Sequence, residues 1–343
     1  MSILVTGATG FIGRYVCAAL TSQGQQVIAM MRRPEELASL RASVKQFGGD
    51  PHLLNAVHGD LDLSKLGITE SLPALSAVIH LGARFAWGMS HQAAHQTNVV
   101  GALSVADLAS AHHCRFILIT GFMLENISHL ARIGIDINQP RATQWQKVYR
   151  RTGGYEASKL EAAIRVREYC LEKNIELVEV QPATVAGHSQ TGDLDIAQPL
   201  YSLIDNVATG RLAMVPGSPA HWLPLIPVDV LADIIAAACI AGTAPARILA
   251  LDKHTPNLQP MLAVVAKSLR KRAPQQYLPV PLLRFLLRIP GMQTLMRTSI
   301  EALDFIQTTR FDTDITTAFM QQHNIVMPNI NQVIINSSER YRT

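Results

Sequence analysis

The feature that most constrains this chain lies near its N-terminus, where the apolar run Ile3-Leu4-Val5 passes directly into Thr6-Gly7-Ala8-Thr9-Gly10-Phe11-Ile12-Gly13. A strand that hands over to a helix through glycines at this spacing leaves few folds open. Gly7 allows a tight turn, Gly10 lets the backbone approach a bound group, and Gly13 lets the helix sit close on a sheet. The first turn of that helix presents unpaired amides and the positive end of its dipole. A phosphate-bearing ligand is therefore expected against Gly7, Thr9, Gly10, Phe11, Ile12 and Gly13.

The text that follows alternates β-rich and helical patterns: RYVCAALTSQG, then QVIAMMR, then PEELASLRASVKQFG. Further strands are expected at Leu54–His58, Ala77–His80, Phe116–Thr120 and Leu177–Gln181, with helices near Gln96–Ser110 and Glu156–Lys173. This is βαβ wording and implies an α/β fold with a doubly wound parallel sheet of the Rossmann type. Residues 1–187 are assigned to that nucleotide-binding domain, with strands returning from about 222–252. Residues 188–343 are assigned to a smaller, mostly helical C-terminal substrate lobe, interleaved with it. Helices are expected near Pro199–Thr209 and Val228–Ala241, with a turn at Pro216–Pro219 and a final stretch, Asn331–Thr343, set apart from the helical text before it.

Composition narrows the function classes. With 48% hydrophobic and only 16% charged residues, the chain has the material for a large interior. Its net charge of +4 is scattered except for Lys267, Arg270, Lys271 and Arg272, so no nucleic-acid stripe is present. Cys17, Cys114, Cys170 and Cys239 lack metal-ligand spacing, so no metal is expected and reduced thiols in a cytoplasmic protein are. No secretory leader is legible, and stable membrane insertion is not expected. The segment Pro279–Met292 carries Arg284 and Arg288 and reads as a short amphipathic helix covering substrate. Leu282, Leu283, Phe285, Leu286, Leu287, Met292 and Met296 supply its apolar stripe, which plain core packing explains equally well.

The end of the second strand selects the nucleotide. An acidic residue there would hold a ribose hydroxyl, whereas Met30-Met31-Arg32-Arg33-Pro34 offers Arg32 and Arg33 to a 2′-phosphate and favours NADP(H). Gly59-Asp60-Leu61 is expected beside the adenine, and His80-Leu81-Gly82-Ala83 beside the cofactor ribose. Farther on, Tyr155-Glu156-Ala157-Ser158-Lys159 puts a phenol and an ammonium on one helical face. A lysine so placed lowers the phenol's pKa and binds ribose, leaving Tyr155 to protonate a carbonyl as hydride arrives.

These landmarks, with Asn98 opening a helix as Asn98-Val99-Val100-Gly101, resemble those of the extended short-chain dehydrogenase/reductase family, also called the NAD-dependent epimerase/dehydratase superfamily. The resemblance implies Tyr155 and Lys159 as catalytic residues, and Asp60, Leu61, Leu81, Gly82, Ala83, Asn98, Pro182, Thr184 and Val185 as further cofactor contacts. It also places a Ser or Thr just past strand five, where this chain reads Thr120-Gly121. The hydroxyl position falls on Gly121, and Thr120 stands one place early, aimed elsewhere unless a bulge brings it in.

Several stretches are more specifically similar to the thioester-reductase, or male-sterility fatty acyl reductase, branch. They are Gly59-Asp60-Leu61 with Lys65-Leu66-Gly67-Ile68, then Ala83-Arg84-Phe85-Ala86-Trp87, then Pro182-Ala183-Thr184-Val185-Ala186-Gly187-His188-Ser189-Gln190-Thr191-Gly192, and Ile226-Pro227-Val228-Asp229-Val230. Gln181 and Ala183 depart from the arginine and glycine of that pattern. The implied activity is NADPH-dependent reduction of a carbonyl in a largely apolar substrate, whether acyl thioester, aldehyde or ketone. Without an adenylation or carrier domain, a thioester would come from coenzyme A or a separate acyl carrier protein. The alternatives are a sugar-nucleotide epimerase or dehydratase, and an NADP(H)-binding sensor or scaffold. A homodimer through Leu160, Ala163, Ile164 and Val166 is left open against those residues simply facing the sheet. Asp229 reads as an N-cap and His221 as a satisfied histidine.

Overall fold

A computed structural model describes residues 1–86, 88–296 and 298–342. Its strands are β1 (Ser2–Thr6), β2 (Gln26–Met31), β3 (Leu54–His58), β4 (Leu75–His80), β5 (Arg115–Ile119), β6 (Leu177–Pro182), β7 (Thr184–Ala186), β8 (Val215–Pro216), β9 (Leu225–Pro227), β10 (Arg247–Ala250) and β11 (Tyr277–Leu278). Seven of them form one sheet in the order β10-β6-β5-β4-β1-β2-β3. The ladders from β3 across to β6 are parallel. Glu179 N–H donates to Ala246 O and Ala183 N–H to Ala250 O, both at 2.9 Å, so β10 advances along β6 in the same direction. Strands buried on both faces need continuous apolar runs, and Ile3-Leu4-Val5, Val78-Ile79 and Phe116-Ile117-Leu118 supply them.

The order reverses between β1 and β4, which leaves a crevice beyond their carboxyl ends, the usual ligand position in open α/β sheets. On one sheet face, Leu4, Met30, Val78, Phe116 and Leu118 meet Ala102, Val105, Ala106 and Ala109 of the helix Gly101–Ala111, together with Val166 and Cys170. Alanines three and four apart on that helix let it lie close on the sheet.

The chain divides into two compact units, Met1–Gln181 with Ala232–Leu249, and Pro182–Leu231 with Ala250–Thr343. The second unit is mostly helical. The helices Pro199–Ala208, Leu258–Ser268 and Ile330–Arg340 close an apolar core around Leu200, Ile204, Leu262 and Val333, beside the short parallel pairs β7·β9 and β8·β11.

Several expectations are corrected. The final stretch Asn331–Thr343 is largely the helix Ile330–Arg340, whose Val333 and Ile334 are fully buried. Asn98 does not open a helix: the helix starts at His91, capped by Ser90, and passes through a π-helical turn, His95–Val100, before Gly101–Ala111. Leu160, Ala163, Ile164 and Val166, left open between a dimer face and packing within the chain, are all buried in the chain's own cores. Leu283 and Leu287 pack on Leu303, while Leu282 and Phe285 are exposed, so the stripe at Pro279–Met292 points two ways. Among the described residues no helix is long and apolar enough to cross a membrane, and the four cysteines are buried and free.

Candidate active site

The glycine turn is built by exclusion. Gly7 has φ +69°, and a Cβ there would lie 2.8 Å from Gly82 N, so neither the conformation nor the space admits another residue. A Cβ on Gly13 would lie 2.1 Å from Gly7 O, which ties the helix Phe11–Ser22 to the turn. Gly10 caps that helix in extended conformation without a side-chain cap, while Phe11 is buried, Ile12 half-buried and Thr9 exposed. A bare cradle at a helix N-terminus, sitting in the crevice between β1 and β4, fits a dinucleotide pyrophosphate.

The floor of the crevice is tied across the sheet. Thr6 Oγ1 lies 2.7 Å from His80 Nδ1 and accepts from Gly82 N–H at 3.1 Å. Burial, reinforced by the charge of Lys159, pushes His80 down to about 3, so it is neutral. The side chain of Leu61 lies against both Gly82 and Gly101, where an added Cβ would stand 2.9 Å from it in each case. Those two glycines make room for Leu61, a reason that sequence alone did not supply. Leu81 and Ala83 flank Gly82 half-buried, and Asp60 accepts from Asp62 N–H at 3.0 Å. At the end of β2, Arg32 is exposed, and Arg33 pairs with Glu36 at 2.8 Å. The arginine pair therefore does have a carboxylate beside it, leaving Arg32 the stronger candidate for a phosphate.

Tyr155 and Lys159 lie on the helix Gly154–Lys173, both half-buried. Lys159 Nζ donates to Ile119 O at 2.6 Å, which fixes the ammonium at the end of β5, and burial lowers it to about 8. The phenol of Tyr155 is pushed up to about 12, by burial first and by the neighbouring Glu156 carboxylate second. This is opposite to the lowering expected from the lysine. Desolvation and the adjacent carboxylate set the direction, while the ammonium is anchored at Ile119 O.

Contacts that the sequence reading did not give surround this pair. Phe85 sets its ring 4.5 Å from that of Tyr155 at 76°. Buried His129 bonds buried Glu156 at 2.6 Å through Nε2, and its Nδ1 lies 2.6 Å from an Arg132 nitrogen. Arginine only donates, so Nδ1 accepts and Nε2–H donates to the carboxylate. No spacing in the sequence signals this link, because it joins separate helices. Asn98 is drawn into the same neighbourhood by its π-helical turn, with its carboxamide on the Arg84 backbone and the Ser158 hydroxyl. Trp87, part of the same loop motif, lies outside the described residues.

At the end of β5 the hydroxyl position is vacant space. Gly121 is extended, with φ −173° and ψ 151°, and a Cβ there would meet nothing within 4 Å. Thr120 is buried, and its Oγ1 has no hydrogen-bond partner among the described residues. No bulge brings it in: Thr120 N–H donates to Val180 O at 3.0 Å, continuing the ladder in which Ile119 pairs with Val180. Gln181 thus stands alongside Thr120 on the same face. Both of its side-chain polar atoms are buried, also without a hydrogen-bond partner among the described residues.

A family model described as male sterility protein matches residues 5–235. The chain belongs to this family. The male sterility match spans the glycine turn, the Tyr155–Lys159 helix and the start of the helix Val228–Ile240. A 2-alkyl-3-oxoalkanoate reductase of Stenotrophomonas maltophilia is 34% identical over 113 residues, 33% of this chain and 30% of that protein. The non-canonical nonribosomal peptide synthetase FrzA of a Cladobotryum species is 25% identical over 66% of this chain and 23% of its own length. The chain thus spans less than a third of each curated relative. Among solved structures, the terminal R domain of the myxalamid PKS-NRPS biosynthetic pathway superposes with a TM-score of 0.73 at 16% identity, covering 98% of this chain and 89% of that one. This last likeness is one of fold.

Asp229 meets the Ser189 segment, inside the second unit. It is not a helix cap there. Its carboxylate lies in the first turn of the helix Val228–Ile240 and accepts from Ser189 N–H at 2.9 Å and Ser189 Oγ at 2.5 Å. Pro182, Thr184 and Val185 also fall in the second unit, at the end of β6 and on β7. His221 accepts from Ser218 N–H at 2.9 Å.

Proposed function

We propose that this chain is an NADPH-dependent reductase of a carbonyl in a largely apolar substrate, with an acyl thioester as the first candidate and an aldehyde or ketone as the others. The observation that carries this reading is the pairing of a protonated phenol with an anchored ammonium on one helix. Tyr155 and Lys159 lie one turn apart, and Lys159 is held at Ile119 O, the end of the strand next to β4.

The nicotinamide, when bound, supplies the hydride. Tyr155 supplies the proton: a phenol held at about 12 keeps its proton throughout the neutral range and releases it only to an oxygen gaining charge. Lys159 stabilises negative charge at that phenol and lies within the reach expected of a ribose ligand. Gly7, Gly10 and Gly13 hold the pyrophosphate, and Arg32 meets the 2′-phosphate. The Gly121 N–H stands in for the missing hydroxyl as the second donor to the carbonyl oxygen. Presentation of the thioester by coenzyme A or an acyl carrier protein accords with the synthetase relatives, and a cytoplasmic location with four free buried thiols.

The vacant hydroxyl position favours one other reading, an NADP(H)-binding protein with little turnover. Calorimetry separates the cofactor part of the proposal. NADPH is expected to bind more tightly than NADH, and Arg32→Ala to weaken NADPH about tenfold or more, the loss of one charge-assisted bidentate contact. Equal or tighter NADH binding would overturn the assignment of Arg32.

A further inference from the structure

Within the second unit, the helix Val280–Leu286 and the turns that follow it are pinned by one face. Leu283 and Leu287 are buried against Leu303, the Arg284 guanidinium pairs with buried Asp304 at 2.7 Å, and Gln293 Nε2 donates to Leu287 O at 3.2 Å. Helical hydrogen bonding runs on past Leu286, since Leu287 N–H donates to Leu283 O at 2.9 Å and Ile289 N–H to Leu286 O at 3.1 Å. The opposite face therefore has to look outward. It carries Leu282, Phe285 and Ile289, at spacings of three and four, and Leu295 follows on the helix Met292–Met296, whose Met296 packs on the pinned cluster.

Those four side chains are 48%, 63%, 45% and 67% exposed. Elsewhere among the described residues large apolar side chains are exposed singly, which needs no explanation, but a group of four on a fixed platform does. The charge around them is of one sign. From Lys253 to Ile300 the sequence has eight lysines and arginines and no aspartate or glutamate, so the rest of the chain is net −4. Lys253, Lys267, Arg270, Lys271, Arg272 and Arg288 are all exposed. The cluster that ends at Arg272 precedes the helix by little more than the short strand β11, and Arg288 lies between Phe285 and Ile289 in the chain.

We propose that this outward face is a peripheral docking surface for an anionic lipid membrane. Leu282, Phe285, Ile289 and Leu295 enter the headgroup boundary, and the basic residues meet lipid phosphates. A short helix with Leu and Phe on one side and Lys or Arg around it is what a bilayer interface accepts without being crossed. Hydrocarbon asks for no hydrogen bonds and the four apolar tips offer none, whereas a protein partner would be expected to find about one for every 100–200 Å². Positive charge spread over exposed side chains, with no carboxylate to fix a register, suits a lipid surface, where attraction sums over the charges. The docking does not depend on the reductase reading.

The test is sedimentation of the full chain with vesicles of pure phosphatidylcholine and of an equal mixture of phosphatidylcholine and phosphatidylglycerol, at low and raised salt. Binding is expected to the mixed vesicles alone and to weaken as salt is raised. Phe285→Ser combined with Leu295→Ser is expected to lower vesicle affinity about tenfold or more. Lys271→Gln and Arg272→Gln are expected to lower it about fivefold each. All four side chains are exposed, so the unfolding midpoint and NADPH affinity should stay as in the wild type. Failure to sediment with the mixed vesicles, or sedimentation that the Phe285 and Leu295 changes leave intact, would overturn the proposal. Calorimetry with a purified acyl carrier protein runs in parallel. Carrier binding that these substitutions abolish, without vesicle binding, would overturn the proposal and assign the surface to an acidic protein.

Discussion

Along the carboxyl edge of the same sheet, the strand ends of β1 and β4 and those of β5 and β6 differ sharply in how fully they are used. Beyond β1 and β4 the glycines have no room for a side chain: Gly7 lies against Gly82, Leu61 against both Gly82 and Gly101, and the Thr6 hydroxyl joins His80 to Gly82 N–H. Beyond β5 and β6 the opposite holds. A side chain on Gly121 would meet nothing, and Thr120 and Gln181 bury polar atoms that have no hydrogen-bond partner among the described residues. Each such atom costs about 1–3 kcal/mol. The first end is fixed by backbone geometry that any chain of this fold must reproduce. The second is fixed by side chains, which can be exchanged without loss of the fold, and it is where this chain departs from its family's pattern.

The largest effect is expected at the crowded end. Gly13→Ala sets a Cβ 2.1 Å from Gly7 O, a backbone atom that cannot rotate away, so a cost of about 3 kcal/mol or more and loss of NADPH binding are expected. Denaturant unfolding with calorimetry checks both, and a variant that binds normally would break the contrast. At the open end the same kind of change is expected to help. Gly121→Ser needs no change of backbone and meets no neighbour, and a hydroxyl there should raise kcat/KM about tenfold or more with unchanged stability. Lower activity with intact folding would mean that the open space is itself used.

Acidity separates the ends next. Lys159 is lowered from 10.5 to about 8, so NADPH oxidation should decline as pH rises through about 8. Over that interval the unfolded chain still holds the proton that the folded chain has lost. Stability should therefore rise between pH about 8 and 10.5, the penalty being fully present below about 8. His80 is depressed from 6.5 to about 3, so its contribution is present above 6.5 and is lost as pH falls toward about 3. In denaturant titrations His80→Gln should remove the acid slope and leave the alkaline one, whereas Lys159→Met should remove the alkaline slope and weaken the acid one. The smallest effect is expected from Gln181→Met, which replaces the amide with an apolar chain of similar volume. It should stabilise the protein by about 1 kcal/mol or be neutral in the same titration, and a loss of about 2 kcal/mol would show that the amide has a partner.

Much of the first end was legible, because a glycine turn and apolar strand runs are local signals. Gly7, Gly10 and Gly13, the strand Leu54–His58 and the helix carrying Tyr155 and Lys159 follow from spacing alone. What the sequence hid is non-local. The π-helical turn that redirects Asn98 has no propensity signal, and the Phe85–Tyr155 and His129–Glu156 contacts join segments far apart in the chain. The sign of the Tyr155 shift was misjudged because the adjacent lysine is visible in sequence, whereas the extent of burial is not. Arg33 was read without Glu36 because the ion pair closes only when the turn Pro34–Glu36 forms.

The most direct test of the account is NADPH oxidation by the wild type and by Tyr155→Phe, with the same carbonyl substrate and with cofactor affinity measured in parallel. Loss of about 10²-fold or more in kcat with unchanged NADPH affinity is the predicted result, since only the proton donor is removed. Equal rates in the two proteins would contradict the assignment of Tyr155, and with it the reading of this site as a reductase built on that phenol.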